Sequence, residues 1–347
     1  PNGVPLIDIL DQTISPMGTR LLNKWILLPL KDPKKVKERH QVVRYFMDNS
    51  SFTESITEQI KSIGDLERLI AKVPMNKINP REVMQLCRAL HAIEPIKKHL
   101  STTDNHQLQV IADELLLCEP LQERIDRELQ ENPPVKLDKG AVIADGVSSE
   151  LDELRDIINN SKDHLLSIQQ SEAAATGIDN LKIGFNNVFG YYLEVTNKYK
   201  NKGLVPEHWV RKQTLTNAER YITDELKHLE VKILGAEEKA LGLEQQLFID
   251  LVWSLQDYIR PVQKNAALIA QLDCLSAFAN IATQNNYCRP QMNDSLVIDI
   301  KEGRHPVIEK QLNLGDVYVP NDLYLDNETQ QIIMITGPNM SGKSALL

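Results

Sequence analysis

The sequence predicts a mainly α-helical protein with a small inserted β module and the opening of an α/β P-loop domain at its C-terminal end. Three observations carry this. Apolar residues recur at three- and four-residue steps over most of the chain, short β-rich runs interrupt them between residues 181 and 222, and an apolar run near the end leads into a phosphate-loop motif. With 347 residues, 42% hydrophobic and 25% charged, the chain can bury a real core and should divide into two or three domains.

Residues 1–148 read as a helical core. Ser15-Pro16, Asp32-Pro33 and Asn79-Pro80 each place an N-cap acceptor before a proline at the first helical position. Between these starts Val36, Val43 and Phe46, and then Val83, Leu86, Leu90 and Ile93, keep a helical period. Around Pro133-Pro134 the period breaks, and Gly140 and Gly146 mark a loop with at most a brief hairpin.

Residues 149–180 predict a first lever helix, with Ser149 and Asp152 as a capping box and Gly177 as its stop. At about 1.5 Å per residue it is roughly 40 Å long. Leu151, Leu154, Ile158, Ser161, Leu165 and Ile168 form a heptad seam with one polar place. Residues 223–290 predict a second lever helix and a return to the core, with Leu226, Leu229, Ile233, Ala236, Ala240, Leu243 and Leu247 as the matching seam. The simplest arrangement is an antiparallel pair.

Residues 181–222 lie between the levers and therefore at their far end. Leu181–Phe185, Tyr191–Val195 and Trp209–Leu215 read as short strands, and Lys198, Lys200 and Lys202 as part of a loop. From Leu181 to Arg220, Lys182, Lys198, Lys200, Lys202, Arg211, Lys212 and Arg220 outnumber Glu194, Glu207 and Glu219 by four, leaving −13 on the remainder of a chain whose total is −9. The global charge speaks against a nucleic-acid binder; a local cationic island in an acidic chain fits phosphate contact. Lys198, Lys200, Lys202, Arg211 and Lys212 are the candidate contacts. Trp209, Tyr191 and Tyr192 could stack on bases, but core filling is the better reading of aromatics in short strands.

Residues 291–347 predict the N-terminal part of a P-loop ATPase domain. The apolar run Gln331–Thr336 resembles a buried parallel strand. Directly after it, Gly337-Pro338-Asn339-Met340-Ser341-Gly342-Lys343-Ser344 matches G-x-x-x-x-G-K-[ST]. Small residues there let backbone N–H groups cradle the phosphates of ATP, Lys343 reaches the β- and γ-phosphates, and the Ser344 hydroxyl ligates Mg²⁺. His305 beside Pro306 has no nucleophile or carboxylate near it in sequence and is read as structural rather than catalytic. The remaining histidines lack ligand spacing, so no other metal site is assigned. Cys87, Cys118, Cys274 and Cys288 stand far apart and are read as buried thiols. Apolar runs such as Trp25–Leu30 fall short of a membrane span and no leader pattern opens the chain, which points to a cytoplasmic protein.

Several stretches together resemble the MutS mismatch-repair family across essentially the whole chain. Leu10-Asp11-Gln12-Thr13 with Met17–Leu22, and Gly64–Leu69, look like its core motifs. Gly190–Thr196, Arg211–Leu215 and Asn217–Tyr221 look like its clamp, and Gly303–Val307 with the phosphate loop looks like the start of its ATPase domain. The resemblance implies a DNA-dependent ATP hydrolase working as a ring-like homodimer around duplex DNA, with a downstream partner resembling MutL. It also implies that Tyr318 and Val319 contact adenine. The family's mismatch-reading domain, with its Phe-x-Glu wedge, would precede Pro1, and the rest of the ATPase domain would follow Leu347, so a fragment of a longer protein is expected.

Other readings remain open at this stage. Recombination-specialised relatives share these domains, an SMC-like ATPase also combines a P-loop with coiled-coil arms but carries the arms after the loop, and a structural DNA clamp would need no ATP. Because no acidic Mg²⁺-supporting strand follows the loop, the chain is expected to hold half an ATP site. Purified, it should show no sustained Mg²⁺-dependent ATP turnover; turnover that disappears in Lys343→Ala would overturn that expectation.

Overall fold

The computed structural model describes residues 3–313 and 316–337. It is mainly helical, with a four-stranded antiparallel sheet and a separate two-stranded one. The chain groups into two compact units, Pro1–Met75 with Leu86–Gln122 and Asp257–Leu347, and Asn76–Gln85 with Glu123–Gln256. Segment 123–148 thus groups with the long helices that follow it.

The first unit is organised by the helix Ile259–Asn285, which buries residues on every side, among them Val262, Leu268, Ile269, Leu272, Cys274, Leu275 and Ile281. A helix apolar all round is a core helix, and Pro16–Leu27, Pro33–Asp48, Ser50–Ile63 and Leu66–Ile70 pack around it. Between Asp224 and Asn285 the helical sequence is long and apolar enough to cross a membrane by length and composition, yet 67% of its most apolar window is buried inside the protein.

The expected N-caps at Ser15, Asp32 and Asn79 are all present. Gly18 N donates to Ser15 Oγ at 3.0 Å and Lys34 N to Asp32 Oδ1 at 2.9 Å. Asn79 and Glu82 close a reciprocal pair, with Glu82 N on Asn79 Oδ1 at 3.0 Å and Asn79 N on Glu82 Oε2 at 3.1 Å. Ser15 is in turn held by Asp273, whose carboxylate accepts from Ser15 Oγ at 2.6 Å, Ser15 N at 2.8 Å and Ile14 N at 3.0 Å. Burial pushes the Asp273 carboxyl above its ordinary range, with the Ser15 and Ile14 hydrogen bonds opposing the rise. Gly18 has no room for a Cβ because that carboxylate lies against it.

In the second unit the helices Ser149–Thr176 and Asp224–Ser254 pack against each other as two antiparallel arms. The expected capping box of Ser149 and Asp152 does not form, because the helix is capped one residue earlier. Ser148 is the N-cap, accepting from Leu151 N at 3.3 Å, while Asp152 accepts from Gly146 N at 3.0 Å. Leu151, Ser161, Leu165 and Ile168 are buried on the outgoing arm, and Leu226, Ile233, Ala236 and Ala240 on the returning one. Beyond Ala240 the seam changes: Glu244, Phe248, Leu251 and Val252 are buried, the first three reached by steps of four, four and three, and the expected Leu243 and Leu247 are only half-buried.

Glu244 can occupy a buried place because Arg155 meets it, Nη2 to Oε1 at 2.6 Å, while its other oxygen accepts from Val142 N at 3.2 Å. Arg155 also donates to Ile143 O and to Asp145 Oδ1, both at 2.7 Å. The loop 137–145 is thereby tied to both arms, and the brief pairing expected there is a single bridge between Leu129 and Ile143.

At the C-terminal end β5 (Ile298–Gly303) and β6 (Asn321–Leu325) form an antiparallel pair with the helix Pro306–Gln311 between them in sequence. The run 331–336, expected as a buried parallel strand, is neither. It is not in a strand, and Ile332 and Met334 are 85% and 86% exposed. A parallel strand is buried only when neighbouring strands and covering helices surround it, and among the described residues none pairs with this run. Residues 338–347, including most of the phosphate loop, lie outside the described residues. Of the four cysteines expected as buried thiols, Cys87 and Cys274 are buried, Cys118 is half-buried and Cys288 is exposed.

Ile233, 2% exposed in the seam, tests the pairing of the arms. Ile233→Asp should cost about 3 kcal/mol or more through lost apolar contact and an unpaired buried charge, whereas exposed Glu237→Gln should leave the melting temperature nearly unchanged. Equal thermal shifts for the two would count against the seam.

Candidate nucleic-acid interface

Between the arms the chain forms β1 (Lys182–Asn186), β2 (Gly190–Thr196), β3 (Val210–Thr214) and β4 (Ala218–Ile222), an antiparallel sheet in the order β1-β2-β4-β3. Three strands fall where β-branched and aromatic residues concentrate. The fourth, β4, was not expected as a strand. Leu193 pairs with Tyr221 and Val195 with Glu219, so these side chains share one face. Leu193, Val195, Tyr221 and Trp209 on the sheet side pack with Leu165, Ile168, Leu226 and Ile233 of the arms in one apolar cluster. Gly190, at φ 82°, enters β2 with the Glu230 carboxylate of the returning arm against it, and Tyr191 N donates to Glu230 Oε2 at 3.3 Å. A side chain at 190 would block that contact.

Lys198 and Lys200 stand on a helical turn, Asn197–Lys200, rather than the expected loop. The turn forms because Asn197 N bonds Asn217 O at 3.0 Å and Asn197 Nδ2 bonds Thr216 O at 2.9 Å, which pins it to the β3–β4 connection. Tyr199, 6% exposed, anchors it from beneath. Lys198 and Lys202 flank the Tyr199 ring, their ammonium groups 5.4 and 5.8 Å from its centroid. Lys212 sits at the irregularity in β3 between Arg211 and Gln213 and is exposed.

The five candidate cations are not equivalent. Lys200 and Arg211 both point to Glu219, with Lys200 Nζ at 2.5 Å and Arg211 Nη1 at 3.3 Å from Oε1. The Tyr221 hydroxyl donates a short hydrogen bond to Oε2, and Glu219 is 1% exposed. The hydrogen bond from Lys200, then that from Tyr221, hold the Glu219 carboxyl down at about 2, while burial and then Glu219 push the Tyr221 hydroxyl up to about 12. Arg220 is committed elsewhere, to Glu194 at 3.0 Å and Gln213 at 2.9 Å, and lies 4.3 Å over the Tyr192 ring. Among the described residues, Lys182, Lys198, Lys202 and Lys212 have no carboxylate partner.

Residue-type reasoning missed Glu219, because nothing in the local sequence shows that an acidic residue there is buried beside Lys200 and Arg211. Trp209, 5% exposed, belongs to the apolar cluster between sheet and arms, with half-buried Tyr191 packed against it, while Tyr192, 8% exposed, lies on the other face of β2 against Phe189 and beneath Arg220. They are not stacking platforms.

The other motif stretches are structural where they are described. Arg20 grips Asp65 through two N–H groups at 2.8 and 3.0 Å and Glu67 through Nη2 at 2.6 Å, so the two core motifs meet. His305 is the N-cap of Pro306–Gln311, Ile308 N donating to its Nδ1 at 3.3 Å, in keeping with a structural histidine. Arg304 binds Glu309 at 2.8 Å and the carbonyls of Asn285 and Asn286 at 2.9 and 3.0 Å. Tyr318 is half-buried and Val319 exposed in the stretch leading to β6.

The sequence profile of MutS domain III matches residues 2–279. The chain belongs to the MutS family. It is 57% identical over 345 residues to the DNA mismatch repair protein MutS of Phocaeicola vulgatus, covering 99% of this chain and 39% of that protein. The MutS of Bacteroides fragilis is 54% identical over 345 residues, covering 99% of this chain and 40% of that protein. That of Christiangramia forsetii is 56% identical over 346 residues, covering 100% and 40%. The chain therefore spans about two-fifths of the length of the MutS relatives it matches, and the SMC-like reading falls away.

Because the Glu219 carboxyl is depressed in the folded protein, its stabilising effect is present above its ordinary value of 4.5 and is lost as pH falls toward about 2. In a chain with Trp25 and Trp253 replaced by Phe, Trp209 fluorescence should report loosening of the tip between those pH values. Glu219→Gln should remove that step; an unchanged acid transition would show that Glu219 does not set it.

Proposed function

We propose that this chain is the part of a MutS-type mismatch-repair ATPase that grips duplex DNA and links the grip to ATP. The observation that carries this reading is a cationic four-stranded sheet held at the joined ends of two antiparallel helices of 28 and 31 residues. Lys198, Lys202 and Lys212, exposed and without carboxylate partners among the described residues, are proposed as the phosphate contacts, with Lys182 on β1 at the opposite edge of the sheet from β3. The module offers no recognition helix for base edges, so its contacts would position the duplex rather than read it.

ATP would be held by Gly337, Pro338, Asn339, Met340, Ser341, Gly342, Lys343 and Ser344, a match to the phosphate-loop pattern in which backbone N–H groups and Lys343 take the phosphates and Ser344 takes Mg²⁺. Tyr318 and Val319 are proposed at the adenine by family resemblance. The whole protein would act as a DNA-dependent ATP hydrolase in the cytoplasm, as a homodimer closing around DNA, with a MutL-like partner downstream. The names of the relatives, all DNA mismatch repair proteins, favour repair over recombination.

Equilibrium binding of the chain to duplexes across a range of salt tests the grip. Three to four phosphate contacts should make log K fall against log salt with a slope of about −2.7 to −3.6. Glutamine at Lys198, Lys202 and Lys212 together should weaken binding to every duplex alike and flatten the slope by about 2.7. A tenfold preference for a mismatched duplex, or indifference to the triple replacement, defeats the reading.

A further inference from the structure

The tip carries more positive charge than it can offer to DNA, and one buried carboxylate accounts for two of the cations it holds back. Glu219 stands on the inward face of β4, almost wholly out of water at 1% exposure. A carboxylate so placed must be compensated where it stands, by charge and by hydrogen bonds. Lys200, Arg211 and Tyr221 do this, at 2.5 Å, 3.3 Å and by a short hydroxyl contact respectively. Yet Lys200 and Arg211 are themselves 40% and 59% exposed, so both cations look available from the solvent side. Drawing either toward a DNA phosphate would strip compensation from the buried oxygen. We propose that Glu219 is an internal counter-anion that withholds Lys200 and Arg211 from DNA phosphate and thereby sets how hard the tip grips the duplex.

This inference rests on the DNA-gripping reading above and refines it. It divides the cationic island by partner. Lys200 and Arg211 belong to Glu219, Arg220 belongs to Glu194, and Lys182, Lys198, Lys202 and Lys212 remain for phosphate. Release of condensed counterions counts phosphates actually neutralised, at about 0.9 in the logarithmic slope for each. The salt slope therefore separates a contacting cation from a withheld one, even where removing either changes local charge and hence affinity.

The experiment measures log K against log salt for the 347-residue chain and a duplex of fixed length, for the unaltered protein and for Lys200→Gln, Arg211→Gln, Lys198→Gln, Lys202→Gln and Glu219→Gln. Lys198→Gln and Lys202→Gln should each flatten the slope by about 0.9, and Lys200→Gln and Arg211→Gln should leave it as it was. Glu219→Gln, keeping the shape of the side chain and removing its charge, should steepen the slope by up to about 1.8 and tighten binding at low salt as two cations are released. If Glu219→Gln does not fold, the four lysine and arginine variants decide alone: equal flattening by all four overturns the inference while leaving DNA binding intact. A folded Glu219→Gln with an unchanged or flatter slope overturns it too. Salt-independent or undetectable binding by the unaltered chain sinks the DNA reading and this inference together.

Discussion

The shared apolar cluster at the tip is the contact on which the second unit depends. A four-stranded sheet of strands five to seven residues long cannot cover an apolar face by itself, and two isolated helices cannot either. Each supplies what the other lacks. Leu165, Ile168, Leu226 and Ile233 line the arms where Leu193, Val195, Tyr221 and Trp209 line the sheet, so the seam between the helices continues without interruption into the core of the module. The orientation of the basic surface follows from this, because the face that meets the arms leaves the edges and connections to carry Lys182, Lys198, Lys202 and Lys212.

Charge is arranged by the same burial. Two of the buried carboxylates, Glu219 and Glu244, are each met by basic side chains, Lys200 and Arg211 at the first and Arg155 at the second. Such pairs contribute less net stability than their geometry suggests, since desolvation offsets most of the attraction. What they do strongly is penalise alternatives: a slipped register in β4 or a shifted arm would leave the carboxylate buried without its cation. In the first unit Asp273 plays a comparable part with neutral donors, fixing the start of Pro16–Leu27.

Much of this was legible in the sequence because burial and periodicity coincide there. The helix starts at Ser15, Asp32 and Asn79, the arm seam as far as Ala240, and three of the four tip strands follow from spacing and from the residues that punctuate it. Legibility fails where a charged residue takes a buried place. Glu244 breaks the apolar count, and its partner Arg155 is 89 positions away. Ala218–Ile222 shows no two-residue alternation, being buried on both faces with Glu219 on one and Arg220 on the other, so it does not look like a strand until Lys200, Arg211 and Glu194 are in place. The turn Asn197–Lys200 is likewise set by the carbonyls of Thr216 and Asn217, which local sequence does not reveal. The phosphate loop is the opposite case, clear as a motif while residues 338–344 lie outside the described structure.

The change of step at Ala240 also bears on the coiling of the arms. A stripe advancing by alternating threes and fours lags slightly behind the turn of a straight helix, and partners following it coil left-handedly. From Ala240 the steps of four, four and three advance by 11 residues over three turns, which leads the helix turn slightly and favours the opposite hand. The drift of about 20° per heptad over Leu226–Ala240 is thus only partly reversed over Ala240–Leu251, and Glu244 marks where the reversal begins.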